Sequence, residues 1–177
     1  MKIEYEIRVL EIDTLKIAKR IEELGAIKNG EFEQKRYVYN LRPAEEGKWI
    51  RLRTNGKTTT LTYKDIVSDT IDGTKEVEIE VDDFENTHEF LQRIGFESKG
   101  YQENKRVQYV LNGVELDIDT WPRIPTYMEI EGESEDKVME MMKILDVDEK
   151  KVTALNCQDI YMKIYGIDIT KENVLKF

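Results

Sequence analysis

Polar and apolar residues alternate along much of this chain. The alternation runs through 2–9 (KIEYEIRV), 49–53 (WIRLR), 58–64 (TTTLTYK), 75–81 (KEVEIEV), 105–111 (KRVQYVL), 114–118 (VELDI) and 127–131 (YMEIE). A period of two puts one class of side chain on each face of a β-strand, so every segment predicts a strand with one apolar and one polar face. Residues 34–41 (QKRYVYNL) add a further candidate, which makes eight. Asn55-Gly56 and Asn112-Gly113 fall between consecutive segments, and Asp72-Gly73 marks another bend. Asn-Gly favours the left-handed torsions of a two-residue hairpin turn, so these neighbours are expected to run antiparallel.

The longer gaps carry a helical period instead. Residues 13–24 open on Asp13 as an N-cap and stop before Gly25, with Ile17, Ile21 and Leu24 on one side. Residues 86–94 likewise stop before Gly95. Ser134 caps 135–145, where Val138, Met141, Met142 and Leu145 form an apolar stripe. A last short helix is expected over roughly 156–165, and the Met pair is expected to be core filler, not a binding face.

The order of elements recurs. EQKRYVY at 33–39 parallels ENKRVQY at 103–109, an offset of 70, and Leu24-Gly25 and Ile94-Gly95 keep that offset. The expectation is a single α+β domain spanning 1–177. It holds two β-α-β-β-β halves, about 1–70 and 71–132, followed by C-terminal helices in 133–177. His88 is expected at the surface or near a helix cap. Trp49 and Trp121 are expected to pack or to rim the sheet, and Tyr127 has inward parity.

The polar faces are sorted by sign. One group of strands offers Arg51 with Arg53, then Thr60, Thr62 and Lys64. Others offer Glu4, Glu6 and Arg8; Glu76, Glu78 and Glu80; Arg106; Asp117 and Asp119; and Glu129 and Glu131. A surface tuned only for solubility mixes signs, because like charges at i and i+2 on one face repel. If the sheet closes, the apolar faces pack outward against helices and the charged faces point into a barrel. The interior then holds nine carboxylates against five cations, a balance of −4. Crowded carboxylates must protonate, pair or bind a cation. All-oxygen ligands suit Mg²⁺ or Mn²⁺. A separate Arg/Lys cluster suits phosphate oxygens, which arginine holds bidentately. A solvated outer face remains the alternative.

Composition narrows the classes further. The net charge of −10 argues against a general nucleic-acid-binding surface. No apolar run exceeds three residues, so no transmembrane helix is expected, and MKIEYEIRV lacks a secretory apolar core. Cys157 is the lone cysteine and His88 the lone histidine, which leaves no disulfide, no CxxC zinc site and no paired-histidine mechanism. A reducing cytoplasm is the expected location.

Taken together, EYEIR (4–8), RLR (51–53), LTYK (61–64), EVEIE (76–80), KRVQY (105–109) and ELDIDTWPRIPTYMEIEG (115–132) resemble the CYTH superfamily, the triphosphate tunnel metalloenzymes. The resemblance covers most of residues 1–132. It implies a closed eight-stranded antiparallel β-barrel, a charged tunnel with helices packed outside, and divalent-metal-dependent chemistry on triphosphates. Carried over by position, Glu4, Glu6, Glu76, Glu78, Asp119, Glu129 and Glu131 would be metal-side carboxylates. Arg51, Arg53, Lys64 and Arg106 would hold phosphates, and Glu4, Glu6 and Arg8 would serve catalysis. Asp117 and Glu80 share the parity.

Two positions depart from the family pattern. Its first motif usually ends in Lys, where this chain has Arg8. Arginine stays charged, so Arg8 is a phosphate clamp at best and no base. The family often has Lys two positions before the arginine of the KRVQY strand, where this chain has Asn104, so one phosphate contact is missing. The leading expectation is a metal-dependent triphosphatase acting on inorganic triphosphate. A class IV adenylyl cyclase and a non-catalytic polyphosphate- or nucleotide-binding module stay open. The expected partner is a small-molecule triphosphate, with a homodimer as an open option and neither nucleic acid nor membrane.

Overall fold

In the computed structural model, which describes residues 1–177, the alternating segments become β-strands and the gaps become helices. The elements run β1 (Lys2–Val9), α1 (Thr14–Glu23), β2 (Ile27–Asn40), β3 (Lys48–Thr54), β4 (Thr59–Ile66) and β5 (Thr74–Val81). They continue with α2 (Phe84–Arg93), β6 (Ser98–Leu111), β7 (Val114–Thr120), β8 (Tyr127–Gly132) and α3 (Glu135–Leu145). Two short strands, β9 (Val152–Thr153) and β10 (Val174–Leu175), frame a C-terminal segment with one helical turn, α4 (Cys157–Asp159).

Strands β1–β8 close on themselves. The hydrogen-bonded order is β6-β2-β3-β4-β5-β1-β8-β7, and a β6–β7 pairing completes the ring, with every neighbour antiparallel. Closure removes the unpaired edges that an open sheet would expose. It also divides the side chains into an inner and an outer set.

The outer set makes the cores. Ile7, Leu116, Met128 and Ile130 of the β1, β7 and β8 outer face pack under Val138 and Met141 of α3, with Ile21 of α1 beside them. On the far side, Tyr39 and Leu52 pack under Phe84 and Leu91 of α2. Both α2 and α3 begin where a side chain caps them: Asp83 accepts from the Asn86 amide in α2 and Ser134 from the Lys137 amide in α3, each satisfying an otherwise unpaired donor. No helix is long and apolar enough to cross a membrane.

β-α-β-β-β occurs twice, and the two runs meet in register. On β2 and β6 the paired residues are Gln34 and Asn104, which stand 70 apart. On β1 and β5 they are Glu4 and Thr74, again 70 apart. The two runs are therefore related by an approximate twofold that passes through these pairs.

Three expectations are corrected. β2 and β6 are each 14 residues long, far beyond the alternating segments 34–41 and 105–111. The early residues of each pair with the late residues of the other, with register shifts between Lys28 and Gly30 and between Val38 and Tyr39. The helix expected near 156–165 is a single α-turn that widens into a π-turn, Ile160–Ile164. His88 is no cap: its ring stacks on Tyr37 at 3.7 Å, and its Nδ1 hydrogen-bonds the Tyr39 hydroxyl at 2.6 Å.

The C-terminal segment packs against the barrel and adds residues of 156–159 to the lining of its cavity. β9 pairs with β1 and β10 lies parallel to β6. Tyr161 donates to the Pro122 carbonyl at 2.6 Å and packs edge-on against Trp121. The close fit requires Gly100, where a Cβ atom would lie 2.6 Å from the Glu172 carbonyl oxygen.

Candidate functional site

The barrel encloses a cavity of about 1100 Å³, and its walls are charged. Inward parity selects its lining. Among the expected residues, Glu4, Glu6, Arg8, Arg51, Arg53, Lys64, Glu76, Glu78, Arg106, Asp119, Glu129 and Glu131 all line it. Asp117 is buried against Arg106. Glu80 shares the parity but is exposed, outside this lining. The outer face of the same strand is exposed there too, at Val77 and Ile79.

Cross-strand register separates the signs. Across β2, β3 and β4 the inward pairs are Arg36 with Arg53, Arg53 with Thr60, and Arg51 with Thr62. Across β6, β7 and β8 the corresponding pairs are Arg106 with Asp119, Asp119 with Tyr127, and Asp117 with Glu129. One wall is cationic, and its symmetry-related wall is anionic.

The anionic wall carries its own cations. Arg106 Nε donates to Asp119 at 2.7 Å, and its Nη2 reaches Asp119 and Glu129, each at 2.6 Å. Its Nη1 pairs with Asp117. Arg8 bridges Glu129 through Nε at 2.8 Å, Glu6 through Nη2 at 2.9 Å, and the Leu155 carbonyl through Nη1 at 2.9 Å. Arg8 thereby ties β1 and β8 to the C-terminal segment. Burial pushes the Glu129 carboxyl up, but Arg8 and Arg106 together hold it well below the usual range. Asp117 lies in the opposite state: burial outweighs Arg106 and pushes it up to about 7. Its Oδ1 atom is buried without a partner.

That imbalance has a measurable sign. A carboxyl whose folded pKa is raised binds more protons folded than unfolded, so stability falls as pH rises from about 4 to about 7. In chelator, Asp117→Asn is expected to melt a few degrees above the wild type at pH 8, with the gap closing toward pH 5. Thermal melts at both pH values decide this; a gap that is constant across them contradicts it.

Nearer the β1 amino end, Lys64 donates to Glu4 at 2.7 Å and lies 3.4 Å from Glu76, while Lys2 pairs with Glu131 at 3.0 Å. Burial, then the charge of Glu4, raises Glu131 above its usual value; Lys2 and its hydrogen bond oppose this, and Glu6 adds to it. Excess negative charge in one place, on hard oxygen donors, fits a divalent cation. These carboxylates are held by lysines and Arg8 and are not gathered three to a point.

The cationic wall is less compensated. Glu78 takes Thr62 Oγ1 at 2.6 Å and Arg51 Nη2 at 3.2 Å, with Arg53 3.8 Å away. Burial raises Glu78, but Thr62 and the two arginines outweigh it and hold the carboxyl low. Arg53 is pressed in the other direction. Burial, then Arg51 and Arg106, brings its guanidinium down to about 9. Arg51 Nε is buried without a partner.

Asn104 is buried and points inward. Its Nδ2 donates to Gln34 at 3.1 Å and to Asp119 at 3.4 Å. Among the lining residues that the sequence did not single out are Arg36 and Gln102, joined by a 2.8 Å hydrogen bond from Arg36 Nε. A signal was present: the repeat EQKRYVY/ENKRVQY aligns Arg36 with Arg106. Trp121 is buried beneath Arg36, whose guanidinium carbon lies 4.1 Å from the ring centroid.

A family model described as the CYTH domain matches residues 2–161. No curated protein sequence matches. Among solved structures, the PH1012 protein of Pyrococcus horikoshii is 25% identical with a TM-score of 0.75, covering 86% of this chain and 96% of its own. A conserved hypothetical protein of Pyrococcus furiosus is 26% identical with a TM-score of 0.76, covering 87% and 97%. A Hippeastrum protein, described as a putative adenylyl cyclase with a dominant triphosphatase activity, shares the fold at 16% identity and a TM-score of 0.64, covering 98% and 100%.

Proposed function

This chain belongs to the CYTH domain family, and we propose that it hydrolyses a triphosphate, foremost inorganic triphosphate, with a divalent metal ion. The observation that carries this reading is the cationic wall. Arg51 and Arg53 converge on the cavity with one carboxylate, Glu78, between them, and burial there depresses Arg53. A polyanion is the ligand that relieves such crowding.

The chain's own residues divide the work. Arg51 and Arg53 hold phosphate oxygens and fix the chain of phosphates along β3. Lys64 and Arg106 also line the bore, each already paired with carboxylates. Arg8 stays protonated and keeps Glu6 and Glu129 in place, so a carboxylate must orient the attacking water. Glu4, Glu6, Glu76 and Glu131, with Glu129, Asp119 and Glu78 further along the walls, would supply the oxygen ligands for Mg²⁺ or Mn²⁺. When bound, such an ion supplies Lewis-acid charge to the phosphoryl oxygens.

Cyclisation of ATP is the second reading. The observation that favours it is the cavity, whose roughly 1100 Å³ leaves room for a nucleoside beside the phosphates. One assay separates the two. Purified protein is incubated with inorganic triphosphate, ATP or thiamine triphosphate, with Mg²⁺ or Mn²⁺. Orthophosphate, pyrophosphate and cyclic AMP are measured separately. Orthophosphate from inorganic triphosphate is the expected result. Cyclic AMP with pyrophosphate from ATP would replace hydrolysis by cyclisation, and tight binding with no product under either metal would reduce the protein to a binding module.

A further inference from the structure

Two arginines hold corresponding places on the paired long strands. Arg36 of β2 and Arg106 of β6 stand 70 residues apart, each two positions beyond the facing pair Gln34 and Asn104. Their surroundings differ in sign. On the next strand Arg106 faces Asp119, and two positions along β7 lies Asp117. On its next strand Arg36 faces Arg53, and two positions along β3 lies Arg51. One guanidinium meets two aspartates, and its counterpart meets two arginines.

The bonding follows. Arg106 is saturated by Asp117, Asp119 and Glu129. Arg36 makes one side-chain hydrogen bond, from Nε to Gln102, and takes part in no ion pair. The Trp121 ring beneath it, at 4.1 Å, and Gln102 beside it fix the plane of the guanidinium. Its two terminal nitrogens remain free of protein acceptors, and the residue lines the cavity. A half-buried, pre-oriented cation beside two others lacks only an acceptor.

We infer that Arg36 is a phosphate-binding residue of this bore, and that a phosphoryl group takes against Arg36, Arg51 and Arg53 the place that Asp119 and Asp117 take against Arg106. This rests on the triphosphate reading above and deepens it. It supplies from β2 the contact that Asn104 withholds on β6. It also specifies the ligand class: three guanidinium groups spread along one wall match adjacent phosphoryl groups. Arg106 is then the counterion of the opposite wall.

The test is calorimetric titration of the full chain with inorganic triphosphate and with orthophosphate, in chelator and again in Mg²⁺. Arg36→Gln is expected to weaken triphosphate binding at least about tenfold, one lost charge-assisted contact. Arg36→Lys, which keeps the charge and loses the fork, is expected to fall between. The rise in melting temperature that triphosphate gives the wild type is expected to shrink in Arg36→Gln, while the ligand-free melt stays close to wild type. A purely structural role would move the ligand-free melt and leave affinity alone. Triphosphate affinity within twofold of wild type in Arg36→Gln overturns the inference. If that variant does not fold, an Arg36→Lys protein with wild-type affinity overturns it instead. Failure of the two readings is distinguishable. Wild-type binding that depends on Arg36 without phosphate release sinks hydrolysis alone; phosphate release with binding indifferent to Arg36 sinks this inference alone.

Discussion

Glu6→Ala is expected to keep the barrel folded and to abolish metal-dependent phosphate release from inorganic triphosphate. The fold should survive because Arg8 keeps two acceptors, Glu129 and the Leu155 carbonyl, when Glu6 is gone. The truncation also opens onto the existing polar cavity, so it creates no new apolar void. Activity should not survive, because Glu6 belongs to the carboxylate group with Glu4 and Glu131, where negative charge is in excess. A ligand that carries several kcal/mol of transition-state charge stabilisation costs roughly 10²–10⁴ in rate when removed. Phosphate release across a Mg²⁺ and Mn²⁺ series, with a thermal melt of the same sample, measures both parts. A fully active Glu6→Ala protein would show that the carboxylates of β1 do not hold the metal.

Arg106→Met should do the reverse and strike the fold itself. Arg106 is the shared cation of Asp117, Asp119 and Glu129, all drawn from neighbouring strands of one wall. Its removal leaves Asp117 and Asp119 buried with no counterion and Glu129 with Arg8 alone. Breaking a buried pair in this way costs about 3–5 kcal/mol, which for a domain of this size is roughly 6–20 °C in melting temperature. The deficit should be smaller at pH 5 than at pH 8, since carboxyls that cannot ionise comfortably in the fold take up protons as pH falls. Asp119→Asn placed in the same chain should recover part of the loss. A variant that melts within about 2 °C of wild type would show that water already screens this wall.

The barrel was legible in the sequence because its interior is polar. Strands such as EVEIE and RLRT carry charge at every second residue, and charge sorted by strand has few homes except a closed bore. The helices were legible from their caps and their apolar spacing. The early halves of β2 and β6 were not. Lys28, Asn29 and Gly30 carry no strand signal and are ordered by pairing with Tyr109 and Gln108 of a distant strand. Arg36 escaped for a related reason. Its strand reads as QKRYVYNL, whose conspicuous residues are the tyrosines of the outer face, and its inward parity mixes amide, cation and valine. Which arginines are consumed by carboxylates and which are left free is a matter of cross-strand register, and alternation along a single strand does not encode it. His88 was equally out of reach, since its partners Tyr37 and Tyr39 lie on a strand remote in sequence.

The approximate twofold has a consequence for anyone recombining this gene. A tandem of two copies of the segment through β4 would keep the strand pairing at Gln34 and give both flanks of the bore Arg36, Arg51, Arg53 and Lys64. Such a chain would be an electrostatic spring, held open by its own repulsion until a polyphosphate compressed it. The mirrored chimera, doubling the later segment, would need dissolved cations for the same service. The natural protein folds without either because its anionic flank carries Arg8 and Arg106 as counterions of its own, and its cationic flank is tempered by Glu78.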